Sequence, residues 1–413
     1  MADWIGGSRR LGAVAIAALR DASWLTGERI VVYSAGLLCL FVGVLAVGLA
    51  RNVAPLAQDF CSFYAASALA LAGDAAGAYA EASHGLVQAR IAGCAVVPGW
   101  SAFFYPPPFL LVCLPLALLP FAAAAWCWTL ATGALFVAAV RAWLPALFTP
   151  MLVTLAAPAL WSNVAAGQSS LLFAAVMAFG LRWLDRWPVA SGICLGLLLC
   201  KPQFAVVVPV ALAAARRGRA LAGMAVAAAG LATLSLAVFG SATWHAFAGQ
   251  LAMPYTVLAA GRENPRNMAS VLGAALMAGV PLDRAIALQS IATVATAIAV
   301  GVFAWRRPSA GGLTAATATS AMMASPWLHY YDLALAAVPL AWFARMWVRG
   351  GARPWEGSVL VATYLLPFAG LALARLAGMP IAPAVLVALF VLIWRRESWD
   401  RSRQHQGRSV EAA

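Results

Sequence analysis

Charge is scarce in this chain: 10% of its 413 residues are Asp, Glu, Lys or Arg and 64% are hydrophobic, against about 25% and 45–50% in an ordinary globular protein. A soluble enzyme this poor in charge would aggregate, which excludes a cytosolic multidomain enzyme. Lysine is almost missing: of 27 basic residues, Lys201 alone is a lysine and the rest are arginines. There are four histidines, and no His/Cys group has the spacing of a zinc site. No Walker A sequence and no dinucleotide-binding glycine fingerprint occurs. The acids are few, 14 in all, and Asp59 has no second acid beside it. Such a set does not build a metal cage, and no metal ion or other cofactor is expected.

What the chain has instead is long apolar runs. About 20 such residues cross a bilayer as a helix, and the first run, Ile30 to Ala50, follows a segment carrying Arg9, Arg10, Arg20 and Arg29. That start is too long and too late for a cleaved leader, so it reads as a permanent helix with its N-terminus inside. A net charge of +13 and a pI of about 10.1 would suggest nucleic acid in a soluble protein. Here the arginines cluster between apolar runs, at Arg182/Arg186, Arg216/Arg217/Arg219, Arg306/Arg307, Arg345/Arg349/Arg353 and Arg395/Arg396. Such clusters mark cytoplasmic loops, so no nucleic-acid partner is expected.

The resulting expectation is an all-α, polytopic membrane protein with about twelve spans by the 20-residue rule and both termini inside. Its parts are a cytoplasmic segment 1–29, a transmembrane domain 30–396 with outer loops at 51–103 and 241–267, and a cytoplasmic polar tail 397–413, expected to be disordered after Trp399. Between Ser101 and Ser162 three apolar runs stand where the charge pattern needs an even number of crossings. Either the Pro-rich run after Tyr105 is re-entrant or the run near 146–162 does not span. No internal repeat of the kind many transporters show is evident.

Five of the seven cysteines lie in apolar runs; Cys61 and Cys94 fall in the first outer loop, where an oxidising compartment would let them pair. Ionisable groups near membrane depth are costly and usually functional. Asp59, Lys201, His329 and Asp332 are such groups, all on the proposed outer side. After Asp59, the spacing of Phe60, Phe63, Tyr64 and Leu71 predicts an amphipathic helix on the membrane surface. Pro202 directly after Lys201 predicts a broken helix there. Arg262 and Arg266 lie on the outer side, against the usual bias, where arginines bind anions or pair with a neighbour such as Glu263.

The order and spacing of several segments resemble glycosyltransferase family 87, polyprenyl-phosphate-mannose-dependent mannosyltransferases of the GT-C superfamily. These are Asp59-Phe60 with Gly73 and Tyr79, YPPPFLLVCLPLALLPF from Tyr105, Gly167-Gln168, GLLLCKPQ ending at Gln203, Asn267 with Ser270, and SPWLHYYD ending at Asp332. The resemblance implies a GT-C-type fold with an outer, juxtamembrane helical loop after the first helix. It also implies a polyprenyl-phosphate sugar as donor, a lipid or glycan acceptor, and an active site facing the periplasm from a bacterial inner membrane. Inverting transfer needs a base for the acceptor proton, and Asp59 is the candidate. The leaving group is a phosphate, so positive charge matters more than a general acid. Lys201, Arg262 and Arg266 are the expected phosphate ligands, with His329 as a second catalytic residue. Tyr64, Tyr105, Gln168, Gln203, Asn267 and Asp332 are the expected substrate contacts. A related enzyme for another sugar such as arabinose, or a lipid or sugar flippase, is the rival reading.

Overall fold

The computed structural model describes residues 14–50, 59–94, 100–144 and 148–411. The remaining parts of the expected N-terminal segment, the first outer loop, the run near 146–162 and the end of the tail lie outside the described residues. The chain is all-α, 79% helical. Among the described residues the one β-type pairing is an isolated bridge between Met268 and His329.

Among the described residues, five helices are long and apolar enough to cross a membrane: Gly27–Ala50, Phe121–Trp143, Gly218–Ala259, Leu282–Trp305 and Glu356–Ala377. The first buries only Ser34, so nearly its whole apolar surface faces outward, as suits a helix in lipid. Other apolar runs make shorter helices, among them Ser170–Arg182, Pro188–Cys200 and Pro202–Ala214. The 13 residues of Ser170–Arg182 cover about 20 Å at 1.5 Å per residue. That is less than the roughly 30 Å of a bilayer core.

Proline placement accounts for much of this breakage. Pro158, Pro188 and Pro202 each stand in the first turn of a helical segment, where the missing N–H costs nothing. In the disputed stretch, Phe121–Trp143 is one continuous helix. The Pro-rich run before it is broken into Pro107–Cys113 and a 3-10 turn, Leu116–Leu118. The run after it is divided into Phe148–Leu155 and Pro158–Ala166. Phe109, Leu110 and Cys113 of the short helix are fully buried, whereas the 3-10 turn that follows buries Leu116 and exposes Leu118.

Two expectations need correction. Phe60–Leu71 is not a surface helix: Phe60, Cys61, Ser62, Phe63, Ala65, Ala66, Ser67 and Leu69 are all buried, and they lie on every face. Its two serines are satisfied within the core, Ser62 donating to Ala102 O at 3.0 Å and Ser67 to Leu114 O at 2.9 Å. The polar tail is not disordered at its start, since the last helix runs Ala382–Glu411. Segment 241–267, expected as an outer loop, is largely helical: the helix Gly218–Gly249 continues beyond a kink at Gly240 and Met253–Ala259 follows it.

Small residues set the closest helix contact. Pro188–Gly196 lies so near Gly218–Gly249 that a Cβ on Gly192 would stand 1.9 Å from Ala220 O, and one on Gly223 2.5 Å from Val189 O. Such contacts are the usual device for helix association in lipid. They fix the segment that leads into Lys201.

Candidate active site

Asp59 caps the buried helix Phe60–Leu71, and its own N–H donates to Ala166 O at 3.2 Å. The segment around Ala166 reaches it because Gly167 ends the helix Pro158–Ala166 in the left-handed conformation, at φ 69°. A side chain there would be strained. The turn delivers Gln168, whose Nε2 donates to Asp59 Oδ2 at 2.9 Å and lies 3.3 Å from the Tyr331 hydroxyl.

Lys201 sits between two 3-10 turns, Leu197–Cys200 and Pro202–Phe204, so Pro202 breaks the helix as its position implies. The freed backbone is not the ammonium's partner. Lys201 Nζ donates to Asp332 Oδ1 at 2.6 Å and to Ser170 Oγ at 3.1 Å. It also lies 5.1–5.9 Å from the ring centres of Tyr105, Phe173, Phe204 and Tyr331, within cation–π range.

After the helix Ala310–Ala324 the chain breaks at Ser325-Pro326 and re-forms as the 3-10 segment Tyr330–Ala336. Asp332 is buried there and accepts from the His329 N–H at 3.0 Å through Oδ2. The His329 ring stacks on Tyr331, with centres 5.1 Å apart, and its Nε2 is 3.7 Å from Glu263 Oε1. The segment carrying Glu263 is tied to this turn, with Ala269 N–H donating to Leu328 O at 2.7 Å.

These groups line one cavity of about 220 Å³. Asp59, Lys201, Glu263, His329 and Asp332 supply its charge, and Phe104, Pro254, Val257 and Trp327 part of its apolar wall. Burial raises the Asp59 carboxyl above its ordinary range, partly opposed by the Gln168 hydrogen bond and the charge of His329. Burial alone would push His329 down. Its contact with Glu263, aided by Asp332 and Asp59, outweighs that and raises it, which favours the protonated ring.

Of the expected site residues, Asp59, Tyr105, Gln168, Lys201, Gln203, His329 and Asp332 meet on this cavity. Four do not. Arg262 is exposed and pairs with Glu81 at 3.2 Å, not with Glu263. Arg266 is exposed and donates to Arg375 O at 3.0 Å. Asn267 accepts from the Arg375 guanidinium at 2.6 Å, outside the cavity. Tyr64 points to the far side of its helix, its hydroxyl donating to Leu119 O at 2.8 Å. In each case a nearer partner claims the group.

Glu263, Tyr331, Ser169 and Ser170 were missed. Ser169 and Ser170 follow Gln168 directly and Tyr331 lies inside the SPWLHYYD segment, so adjacency was the available signal. Glu263 follows Arg262 directly, but its pairing with His329, 66 residues away in sequence (263 to 329), has no local signal. Cys61 and Cys94 are joined in a disulfide with Cα atoms 5.7 Å apart. No group of three or more metal-binding side chains occurs among the described residues.

The family model of glycosyltransferase family 87 matches residues 103–326, more than half of the 413-residue chain. No curated protein and no solved structure matches. The matched stretch contains Tyr105, Gln168, Lys201 and Glu263 but neither Asp59 nor His329; the fold joins those two to it.

Proposed function

The chain belongs to glycosyltransferase family 87, and on that premise we propose that it transfers mannose, with inversion, from a polyprenyl-phosphate donor to a lipid or glycan hydroxyl. The reaction takes place on the periplasmic side of a bacterial inner membrane, with Asp59 as general base. One observation carries the reading. Of the three carboxylates lining the cavity, Glu263 faces His329 and Asp332 is bonded to Lys201, whereas Asp59 has no ion-pair partner among the described residues. A base must be free to take a proton, and only Asp59 is.

In this scheme the acceptor hydroxyl loses its proton to Asp59 as its oxygen attacks the anomeric carbon. The bond to the phosphate oxygen breaks, and the polyprenyl phosphate leaves as an anion. Protonated His329 and Lys201 both meet the charge that develops on the phosphate, and each is backed by a carboxylate, Glu263 for His329 and Asp332 for Lys201. The phosphate is a good leaving group, so neither a metal ion nor a general acid is assigned. The Cys61–Cys94 bond supports placing the cavity on the oxidising side of the membrane. The exposed apolar surfaces of the long helices suit the polyprenyl chain.

The test uses purified protein, short-chain polyprenyl phosphates carrying radiolabelled mannose or arabinose, and a bacterial membrane lipid extract as acceptor. The expected result is a labelled glycoconjugate from the mannose donor, lost in Asp59→Asn. Product from the arabinose donor alone would replace the sugar. Label that crosses vesicles without forming product would mean transport. Full activity in Asp59→Asn would remove the base assignment.

A further inference from the structure

The Asp59 carboxylate is held from one side only. Gln168 Nε2 bonds Oδ2, and among the described residues no group hydrogen-bonds Oδ1. An amide can do this only in one of its two orientations, because its oxygen would repel the carboxylate. The structure fixes which. The Tyr105 hydroxyl donates to Gln168 Oε1 at 3.1 Å, and the Ser169 N–H donates to the same oxygen at 3.2 Å. With its own hydrogen on Gln168, Tyr105 must accept from Ser169 Oγ, 2.8 Å away. The chain of donors therefore runs Ser169 to Tyr105 to Gln168 to Asp59, and every member has its hydrogen assigned. Tyr105 is itself held by stacking on Phe109, with centres 4.2 Å apart.

We propose that Gln168 is the positioning residue of the base: locked by Tyr105 and Ser169, it holds Asp59 Oδ2 so that Oδ1 is the oxygen presented to the acceptor hydroxyl. The proposal rests on the assignment of Asp59 as base. Two consequences follow from the geometry. The hydrogen bond fixes the carboxylate plane, which matters to the transition state more than to donor binding. It also favours the charged form of a carboxyl that burial pushes the other way. The charged and titratable groups facing Asp59 are Tyr105 from the segment before helix Pro107–Cys113, Lys201 from between its two 3-10 turns, Glu263 from the segment after Met253–Ala259, and His329 and Tyr331 from the turn after Ser325. None of these bonds Oδ2, so loss of Gln168 is not made good by a neighbour.

The experiment measures kcat, KM and the pH profile with short-chain polyprenyl-phosphate mannose and membrane lipid extract, for wild type, Asp59→Asn, Gln168→Leu and Ser169→Ala. Gln168→Leu is expected to lower kcat ten- to a hundredfold (about 1.4–2.7 kcal/mol by the conversion of one decade per 1.36) with KM for the donor changed less than threefold. The acid limb should move to higher pH, because the carboxylate has lost a donor. Ser169→Ala, which does not line the cavity, should move the limb the same way by a smaller amount, and this separates a relay from a simple packing role. Unchanged kcat and acid limb in a Gln168→Leu protein that remains monodisperse and binds donor overturns the proposal while leaving Asp59 as base. Loss of donor binding in Gln168→Leu at unchanged kcat makes it a substrate contact and also overturns it. Activity in Asp59→Asn, or none in wild type, overturns the reading beneath it.

Discussion

Lys201 carries the chain's only ammonium group, and the fold surrounds it with Asp332, Ser170 and four aromatic rings. Both members of the ion pair are buried, at 5% and 1% side-chain exposure. Removing one partner of such a pair strands the other charge, which costs about 3–5 kcal/mol. Lys201→Met is therefore expected to lower the unfolding temperature in detergent sharply. The double variant Lys201→Met/Asp332→Leu should recover most of the loss, because it strands nothing. Thermal melts followed by tryptophan fluorescence check this; equal losses in both would show that the pair is not the source. A lysine that only snorkelled to the membrane surface would give a small effect in either variant.

At the scale of elements, the helix Glu81–Arg90 acts as a clasp for the segment that enters the cavity. His84 is fully buried, with Nε2 on Ser62 O at 3.1 Å and Nδ1 accepting from Trp100 Nε1 at 2.8 Å. Gln88 bonds both polar backbone atoms of Ser101, at 2.7 and 3.0 Å, and Ser101 lines the cavity. Burial pushes His84 down to about 4, so its neutral form belongs to the folded state. Above its ordinary value of 6.5 the group has no effect on stability. As the pH falls from 6.5 toward 4 the unfolded chain takes up a proton that the folded one refuses, and stability falls by about 3 kcal/mol. Acid-dependent melts should show this loss in wild type and a flatter curve in His84→Gln; the same slope in both would locate the effect elsewhere. Part of this arrangement can be read from the sequence and part cannot. The helix-breaking role of Pro202 follows from residue type alone. The burial of Phe60–Leu71 does not, because Phe60, Phe63, Tyr64 and Leu71 give the same spacing whether the opposite face meets water or protein.

For the molecule as a whole, the arginine clusters and the cavity groups should lie on opposite sides of the membrane. Arg186→Cys is expected to react with a membrane-impermeant maleimide only from the cytoplasm, and Glu81→Cys only from outside. Labelling of both from one side of intact spheroplasts would invert the scheme. The Cys61–Cys94 bond closes a loop of 33 residues, and its loss should cost roughly 2–4 kcal/mol.

The sequence by itself determined the membrane class, the family and seven of the cavity's residues, because composition and local motifs are carried by residue type and order. Only the tertiary structure decided that Arg262 and Arg266 belong to Glu81 and to the Arg375 carbonyl, that Lys201 belongs to Asp332, and that Glu263 faces His329. Each is a choice among partners 100 or more residues apart, or 66 in the last case, and a charge takes the partner that packing brings within a few ångströms. That same packing leaves Asp59 with an amide instead of a cation, and so free to act as a base.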